Sequence, residues 1–398
     1  MNPNTFILKF LNRKQSLFFD DLEENKLELS ESIKNKKVLV IGGAGTIGSS
    51  FIKALLKYQP GKLVIIDLNE NGLAEQVRDL RSTPNQFMPI EFYTYPVSFG
   101  STVFKKLFFA HGPFDIVTNF AAHKHVRSEK DIFSIEALLD NNIIKAKGLL
   151  DLLVTNPPKH FFCVSTDKAA NPVNIMGASK KVMEDLIFSY SGLFKVSTAR
   201  FANVAFSNGS LLEGFLNRID KCQPLACPID IKRFFVSPEE SGQICLLACI
   251  LGKSGEIFFP KLCEGDLVNF VDILTSLLIE FKYEPVKYNS EKEARESMEI
   301  TQQKKYPVYL FKTDTSGEKL YEEFYTEDEV YDLKRFNALG VISKTSNFSI
   351  SDFNKIIFEL EEVLNMNQIT KAQIVDWLKK YIIDFKHIET GLGLDEKM

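Results

Sequence analysis

The stretch Val38–Leu56, VLVIGGAGTIGSSFIKALL, leaves the chain little freedom in how it folds. Its unbroken apolar start fits a strand buried on both faces, as in a parallel sheet covered by helices. Glycines at 42, 43, 45 and 48 then turn the chain directly into a segment with helical apolar spacing. The same alternation continues through KLVIID, NGLAEQVRDLRS, FDIVTNFAA, IEALLDNNIIKAKGLLDLLV and HFFCVST. Strands separated by helices over residues 36–205 predict an α/β chain with a doubly wound parallel sheet, a dinucleotide-binding domain. Residues 1–35 read as a helical extension, because FILKFLNRKQSLFFDDL carries apolar positions at helical spacing suited to packing or a subunit contact. Beyond residue 205 the alternation becomes irregular. Residues 206–398 are expected to form a smaller substrate-binding part, partly interwoven with the sheet, with a helical stretch at Leu267–Phe281 and amphipathic helices at the end.

The glycines carry chemistry as well as geometry. Gly43, Gly45 and Gly48 satisfy GxGxxG, and Gly42, Gly45 and Gly48 satisfy GxxGxxG. Without Cβ atoms such a turn lets backbone N–H groups approach a pyrophosphate at the positive end of a helix. The next strand ends in Asp67, about 20 residues on, where a carboxylate can bind ribose hydroxyls. A nicotinamide dinucleotide is therefore expected. Asp67 favours NAD over NADP, since a 2′-phosphate would meet a like charge, although Arg78 or Arg81 on the following helix can turn toward it.

A formal charge of -4 gives no general reason to expect nucleic acid or an anionic membrane as partner. The longest apolar runs are too short or too interrupted to span a bilayer and the first residues lack a cleavable signal pattern, so a cytoplasmic location is expected. The six cysteines lack paired CxxC spacing, and His123 and His125 have no acidic or cysteine ligand pattern beside them. Reduced cysteines and no metal are expected.

The segment VSTDKAANPVNIMGASKK, Val164–Lys181, bears on the reaction. A large dehydrogenase class places a catalytic tyrosine four residues before the position of Lys180, but that position here is Met176. Methionine cannot give or take a proton. Thr166, Asp167 and Lys168, adjacent in TDK, offer a hydroxyl, a carboxyl group and an amine instead.

Six motifs occur in order: GGAGTIG, NFAAHKHVRSEKD, STDKAANPVNIMGASK, ARFANVAFSNGS, IKRFFVSPEES and GEKLYEEF. Together they resemble extended short-chain dehydrogenases that act as nucleotide-sugar 4,6-dehydratases. The wording KHVRSEKD and ARFANVAFSNGSLL, with the tail ETGLGLDEKM, is similar to UDP-N-acetylglucosamine 4,6-dehydratases of the legionaminic acid pathway. The resemblance runs from Lys36 to Met398. It implies that hydride leaves C4 of the sugar, that water is lost across C5 and C6, and that hydride returns to C6.

By the same resemblance Asp167 is the acid for the 6-hydroxyl, Lys168 the base at C5, and Thr166 the partner of the 4-hydroxyl. Lys180 holds the nicotinamide ribose, and Met176 packs in the pocket. Gly42, Gly45, Thr46, Ile47, Gly48, Asp67, Ser98, Ala121, Ala122 and Lys124 fall on cofactor-binding positions, with Lys124 also near the sugar. Asn203 and Arg233 match positions that bind the nucleotide diphosphate, which suits the planar fork of arginine. Two residues depart from the family pattern: Ile41 replaces a threonine before the first glycine, and Ser98 stands where an acidic residue contacts adenine.

The leading expectation is a UDP-N-acetylglucosamine 4,6-dehydratase that retains configuration at C5, in bacterial surface-glycan or nonulosonic acid synthesis. Inversion at C5 or a GDP sugar would use the same residues. A 4-epimerase is disfavoured by Met176, and an inactive NAD-binding scaffold by the complete TDK triad and Lys180. A homo-oligomer is the default expectation, because short-chain dehydrogenases commonly pair through helices beside the active site.

Overall fold

The computed structural model describes residues 1–313, 323–383 and 385–389. Residues 317–322 of GEKLYEEF and 390–398 of the C-terminal motif lie outside the described residues.

Nine strands form the central sheet: β1 Lys37–Ile41, β2 Lys62–Asp67, β3 Glu91–Pro96, β4 Ile116–Asn119, β5 His160–Val164, β6 Val196–Ala199, β7 Glu256–Pro260, β8 Tyr331–Asp332 and β9 Leu339–Ser343. Their order is β8-β9-β7-β6-β5-β4-β1-β2-β3. The seven strands from β3 across to β7 are parallel, and β9 adds to β7 in the antiparallel sense. Hydrophobic runs such as Val38–Ile41 and Leu63–Ile66 are buried on both sides, as strands sandwiched by helices must be. The chain walks from β1 outward to β3 and then returns to place β4 on the other side of β1. The carboxyl ends of β1 and β4 therefore part company, and a crevice opens between them.

A second apolar cluster is built on a three-stranded parallel sheet, with Lys305–Phe311 between Leu225–Pro228 and Glu284–Tyr288. The N-terminal extension serves both clusters. Helix Pro3–Phe10 packs Phe6 and Ile7 into the second, whereas Phe18, Leu29 and Ile33 join the main core. The single helical pattern expected across residues 6–22 is thus broken. Asn12 takes a left-handed φ of 54°, and Arg13 turns inward to Glu240 at 2.9 Å and to the Phe235 carbonyl.

Two further expectations are corrected. The long helical pattern at 135–154 splits into Ile132–Leu139 and Lys145–Thr155 around a π-helical turn at Asp140–Ile144. The stretch at Leu267–Phe281 becomes helical only at Phe270, because Val268 and Asn269 pair with Arg233 and Lys232 and Asn269 then caps Val271 N. Helix Ile175–Ser189 is buried along most of its length, and the C-terminal helices Ile350–Leu364 and Lys371–Tyr381 pack against it. Thr370 opens the latter helix with a reciprocal cap to Gln373. Among the described residues no helix is long and apolar enough to cross a membrane.

Candidate active site

A cleft of about 830 Å³ opens at the crevice between β1 and β4 and extends toward the second cluster. At its floor Gly42 has φ +76°, and a Cβ there would lie 2.4 Å from Ala121 N. A Cβ on Gly48 would lie 2.3 Å from the Gly42 carbonyl oxygen. Glycine at both positions lets the strand, the turn and helix Thr46–Leu56 converge. Gly45 precedes that helix without a side-chain cap, and Gly45, Thr46, Ile47 and Gly48 line the cleft. An uncapped first turn at a cleft wall is suited to an anion.

Asp67 ends β2 with its carboxylate fixed: Oδ2 accepts from Ala44 N and Oδ1 from Asn69 N, each at 2.9 Å. It lines the cleft with Ser98, while Arg78 and Arg81 do not. Arg78 instead lies 3.6 Å from Glu75.

After β4 the chain passes along the cleft through Ala121, Ala122 and Lys124. Asn142 fixes this passage. From the π-turn, its Oδ1 accepts from His123 N at 3.0 Å and its Nδ2 donates to the His123 carbonyl at 2.9 Å and to Ser179 Oγ at 3.1 Å. Sequence reasoning missed this residue, although two asparagines interrupting an apolar helical pattern were a visible cue. Crowding in the cleft pushes the Lys124 ammonium below the ordinary lysine range, opposed by Glu213. Burial, then Lys124, Arg127 and His123, push His125 down to about 4.

Beyond β5, Thr166 opens a short 3-10 turn at Asp167–Ala169. Asp167 is buried, and its Oδ1 accepts from Thr166 Oγ1 at 2.7 Å, Lys168 N at 2.9 Å and Lys168 Nζ at 3.2 Å. A hydroxyl, a carboxyl group and an amine therefore meet at one oxygen atom on the cleft wall. Met176 and Lys180, one turn apart on helix Ile175–Ser189, also line the cleft. Lys180 Nζ donates to the Val164 carbonyl at 3.0 Å, and burial lowers its pKa, with Cys163 and Glu184 acting the other way.

On the opposite wall stand Asn203 and Arg233. Asn203 Nδ2 is buried without a protein acceptor, and Arg233 is 5 % exposed. A buried donor left unmatched on a residue that lines a cleft fits a ligand that brings its own acceptor. Asn208 N donates to Thr46 Oγ1 at 2.9 Å, tying the neighbouring loop to the first turn of helix Thr46–Leu56. The structure thus brings to one cleft every residue to which the resemblance gives a catalytic, cofactor or substrate role, whereas Gly43 of the GxGxxG spacing faces Ile65 and Ile52 in the core. Among the described residues no cluster of three or more His, Cys, Asp or Glu side chains could hold a metal ion.

Residues 38–344 match the model of a family described as polysaccharide biosynthesis protein. An uncharacterized membrane protein of Methanocaldococcus jannaschii is 32% identical over 355 residues, covering 86% of this chain and 97% of that protein. A UDP-N-acetylglucosamine 4,6-dehydratase (inverting) of Campylobacter jejuni is 28% identical, covering 60% of this chain and 71% of that protein. A UDP-glucose 4-epimerase of Rickettsia rickettsii is 24% identical, covering 90% and 98%. The chain spans about half, 51%, of the capsular polysaccharide biosynthesis protein CapD of Staphylococcus aureus, which it also resembles. Among solved structures, a dTDP-glucose 4,6-dehydratase double mutant from Streptomyces venezuelae, with NAD bound, superposes with a TM-score of 0.56 at 17% identity, covering 72% of this chain and 88% of that one. That likeness is one of fold.

Proposed function

The chain belongs to the family of polysaccharide biosynthesis proteins and has the doubly wound fold of the extended short-chain dehydrogenases, and on that premise we propose that it is an NAD-dependent UDP-N-acetylglucosamine 4,6-dehydratase. The observation that carries the reading is the meeting of Thr166, Asp167 and Lys168 at one carboxylate oxygen, with Met176 where an epimerase needs a proton-transferring phenol.

The cleft fits the cofactor. The side-chain-free approach at Gly42 and Gly48 and the uncapped helix start at Gly45 suit a pyrophosphate, and Asp67 suits the adenosine ribose. With no arginine lining the cleft beside Asp67, NAD is favoured over NADP. Ser98, Ala121, Ala122 and Lys124 complete the wall, and Lys180 offers a donor to the nicotinamide ribose. Asn203 and Arg233 would hold the diphosphate of the substrate. In this reading residues 36–205 bind the dinucleotide and carry the reacting groups, and 206–398 form the substrate-binding part, to which Arg233 belongs. Gly48→Ala would drive a methyl group into the Gly42 carbonyl and force the turn away from the helix start; a fall in NAD affinity of about tenfold or more, about 1.4 kcal/mol, is expected. Titration calorimetry reads this directly, and unchanged affinity would place the pyrophosphate elsewhere.

Bound NAD+ would supply the acceptor for the C4 hydride and its return to C6. The side chains move the protons. Thr166 takes the 4-hydroxyl hydrogen bond and passes the proton across 2.7 Å to Asp167. Lys168, as the free amine, removes the proton at C5 that the C4 ketone has acidified. Asp167 returns its proton to the departing 6-hydroxyl, which leaves as water. Lys168 then gives its proton back to C5, so every group ends as it began. If the same amine both removes and restores that proton from one side of the ring, C5 keeps its configuration; delivery from the opposite face by another group would invert it.

Mass spectrometry of the protein incubated with NAD and UDP-N-acetylglucosamine tests the reading. Loss of one water from the sugar nucleotide is expected, and unchanged mass with a new stereoisomer would make the protein an epimerase. Proton NMR of product formed in heavy water reads retention at C5 against inversion.

A further inference from the structure

We propose that Glu129 and His387 are positioning residues for the reaction: a C-terminal arm closes on a buried carboxylate and thereby sets two walls of the cleft against each other. The proposal rests on the dehydratase reading for its kinetic consequence, but not for its structural one.

Three segments distant in sequence meet at Glu129, whose side chain is 8% exposed. The first is its own short turn, Val126–Glu129, which directly follows cleft-lining Lys124 and His125 and contains cleft-lining Val126 and Arg127. The second is the start of helix Ile175–Ser189: Glu129 Oε1 accepts from Met176 N at 3.0 Å. That N–H lies in the first helical turn, where the helix offers no acceptor of its own, and a carboxylate there also meets the positive end of the helix. The third is the C-terminal arm, from which His387 Nε2 lies 3.2 Å from Glu129 Oε2. The arm is tied down twice more, by Ile388 N to the Val173 carbonyl at 2.9 Å and by Lys371 to Glu389.

Each oxygen of Glu129 thus serves a different segment. One holds the helix that bears Met176 and Lys180, and the other holds the arm. Neither Glu129 nor His387 lines the cleft, so neither touches substrate or cofactor. Their effect passes through Lys124 and Arg127 on one wall and Met176 and Lys180 on the other. A bidentate carboxylate that bridges loop, helix and arm fixes the distance between those walls, which a single hydrogen bond to either would not do. Misplacement of a reacting group by about 1 Å is enough to cost about a hundredfold in rate.

Three variants of the full chain test the assignment: His387→Ala, His387→Gln and Glu129→Ala. Hydrogen exchange followed by mass spectrometry, on protein without substrate, is expected to show faster exchange in peptides covering residues 123–130 and Met176 for His387→Ala and Glu129→Ala. With NAD and UDP-N-acetylglucosamine, kcat should fall by about ten- to hundredfold in both, with NAD affinity and the thermal midpoint close to wild type in His387→Ala, whereas Glu129→Ala also loses the acceptor of the first helical turn and melts lower. His387→Gln restores a donor toward Glu129 and should recover most of kcat. Unchanged exchange at 123–130 in both alanine variants would overturn the proposal. So would a kcat loss in His387→Ala that His387→Gln leaves uncorrected, or one accompanied by a matching drop in thermal midpoint. If wild type fails to dehydrate the sugar nucleotide, the dehydratase reading falls, and the exchange result still decides whether the arm orders the two walls.

Discussion

Lys168→Ala is expected to abolish dehydration while leaving NAD bound. In the proposed reaction the amine takes the carbon-bound proton, while Asp167, a carboxylate that could itself serve as such a base, is given the hydroxyl protons because its Oδ1 already accepts from Thr166 Oγ1. General base catalysis contributes about 10²–10⁴-fold, so turnover should fall at least into that range. Two readouts separate the base from a packing role. Exchange of the C5 hydrogen with heavy water should vanish together with water loss, and calorimetric NAD affinity should remain, because the glycine turn and Asp67 are left intact. Substantial remaining exchange at C5 would show that another group is the base. Asp167→Asn offers a contrast: with the amine intact, exchange at C5 should survive better than loss of the 6-hydroxyl.

Arg200→Met is expected to cost about 3–5 kcal/mol of stability, the range found when one partner of a buried ion pair is removed. Arg200 is wholly buried. It donates from Nε and NH2 to Glu184 at 2.8 and 2.6 Å, and from NH1 and NH2 to Glu329 at 2.7 and 2.9 Å. Glu184 in turn accepts from Ser165 Oγ at 2.6 Å, one residue before Thr166. Burial alone would raise the Glu184 pKa, but the guanidinium outweighs it and holds the carboxyl at about 2. A folded-state value depressed from 4.5 contributes stability that is present above 4.5 and lost as pH falls toward 2. The variant leaves Glu184 buried without its cation, so protonation relieves it. The gap between wild type and Arg200→Met, measured by urea denaturation at a series of pH values, should therefore narrow as pH falls through that window. A gap independent of pH would mean that Glu184 is not the group whose charge Arg200 compensates. Adding Glu184→Leu to Arg200→Met should recover part of the loss, because the stranded charge is then gone.

The sequence made the parallel strands and the glycine turn legible because their causes are local: apolar runs of strand length, and glycines where backbone approaches backbone. The triad was equally legible, since Thr166, Asp167 and Lys168 are neighbours in the chain and a single turn brings them together. What stayed hidden depends on contacts between distant segments. Glu129 and His387 are 258 positions apart, and nothing in either neighbourhood announces the other. Arg200 sits in a motif that drew attention to Asn203, yet its partners Glu184 and Glu329 come from a helix and a loop with no shared pattern. The helical spacing of residues 6–22 misled because periodicity reports a face to be buried, not the core that will bury it. Phe6 and Phe18 go to different clusters, so the chain must break between them.

The strand β7 carries a consequence for how the two parts of the chain can be recombined. Glu256–Phe258 pair in register with Ser197–Ala199 of β6, and β9 then pairs with β7. A genetic crossover between residues 205 and 256 would set a foreign β7 against the resident β6, while β8, β9 and β7 would arrive together with their own pairing intact. The residues beyond 205 are therefore not a detachable cassette: any replacement must keep the side chains that face β6 across that one pair of strands.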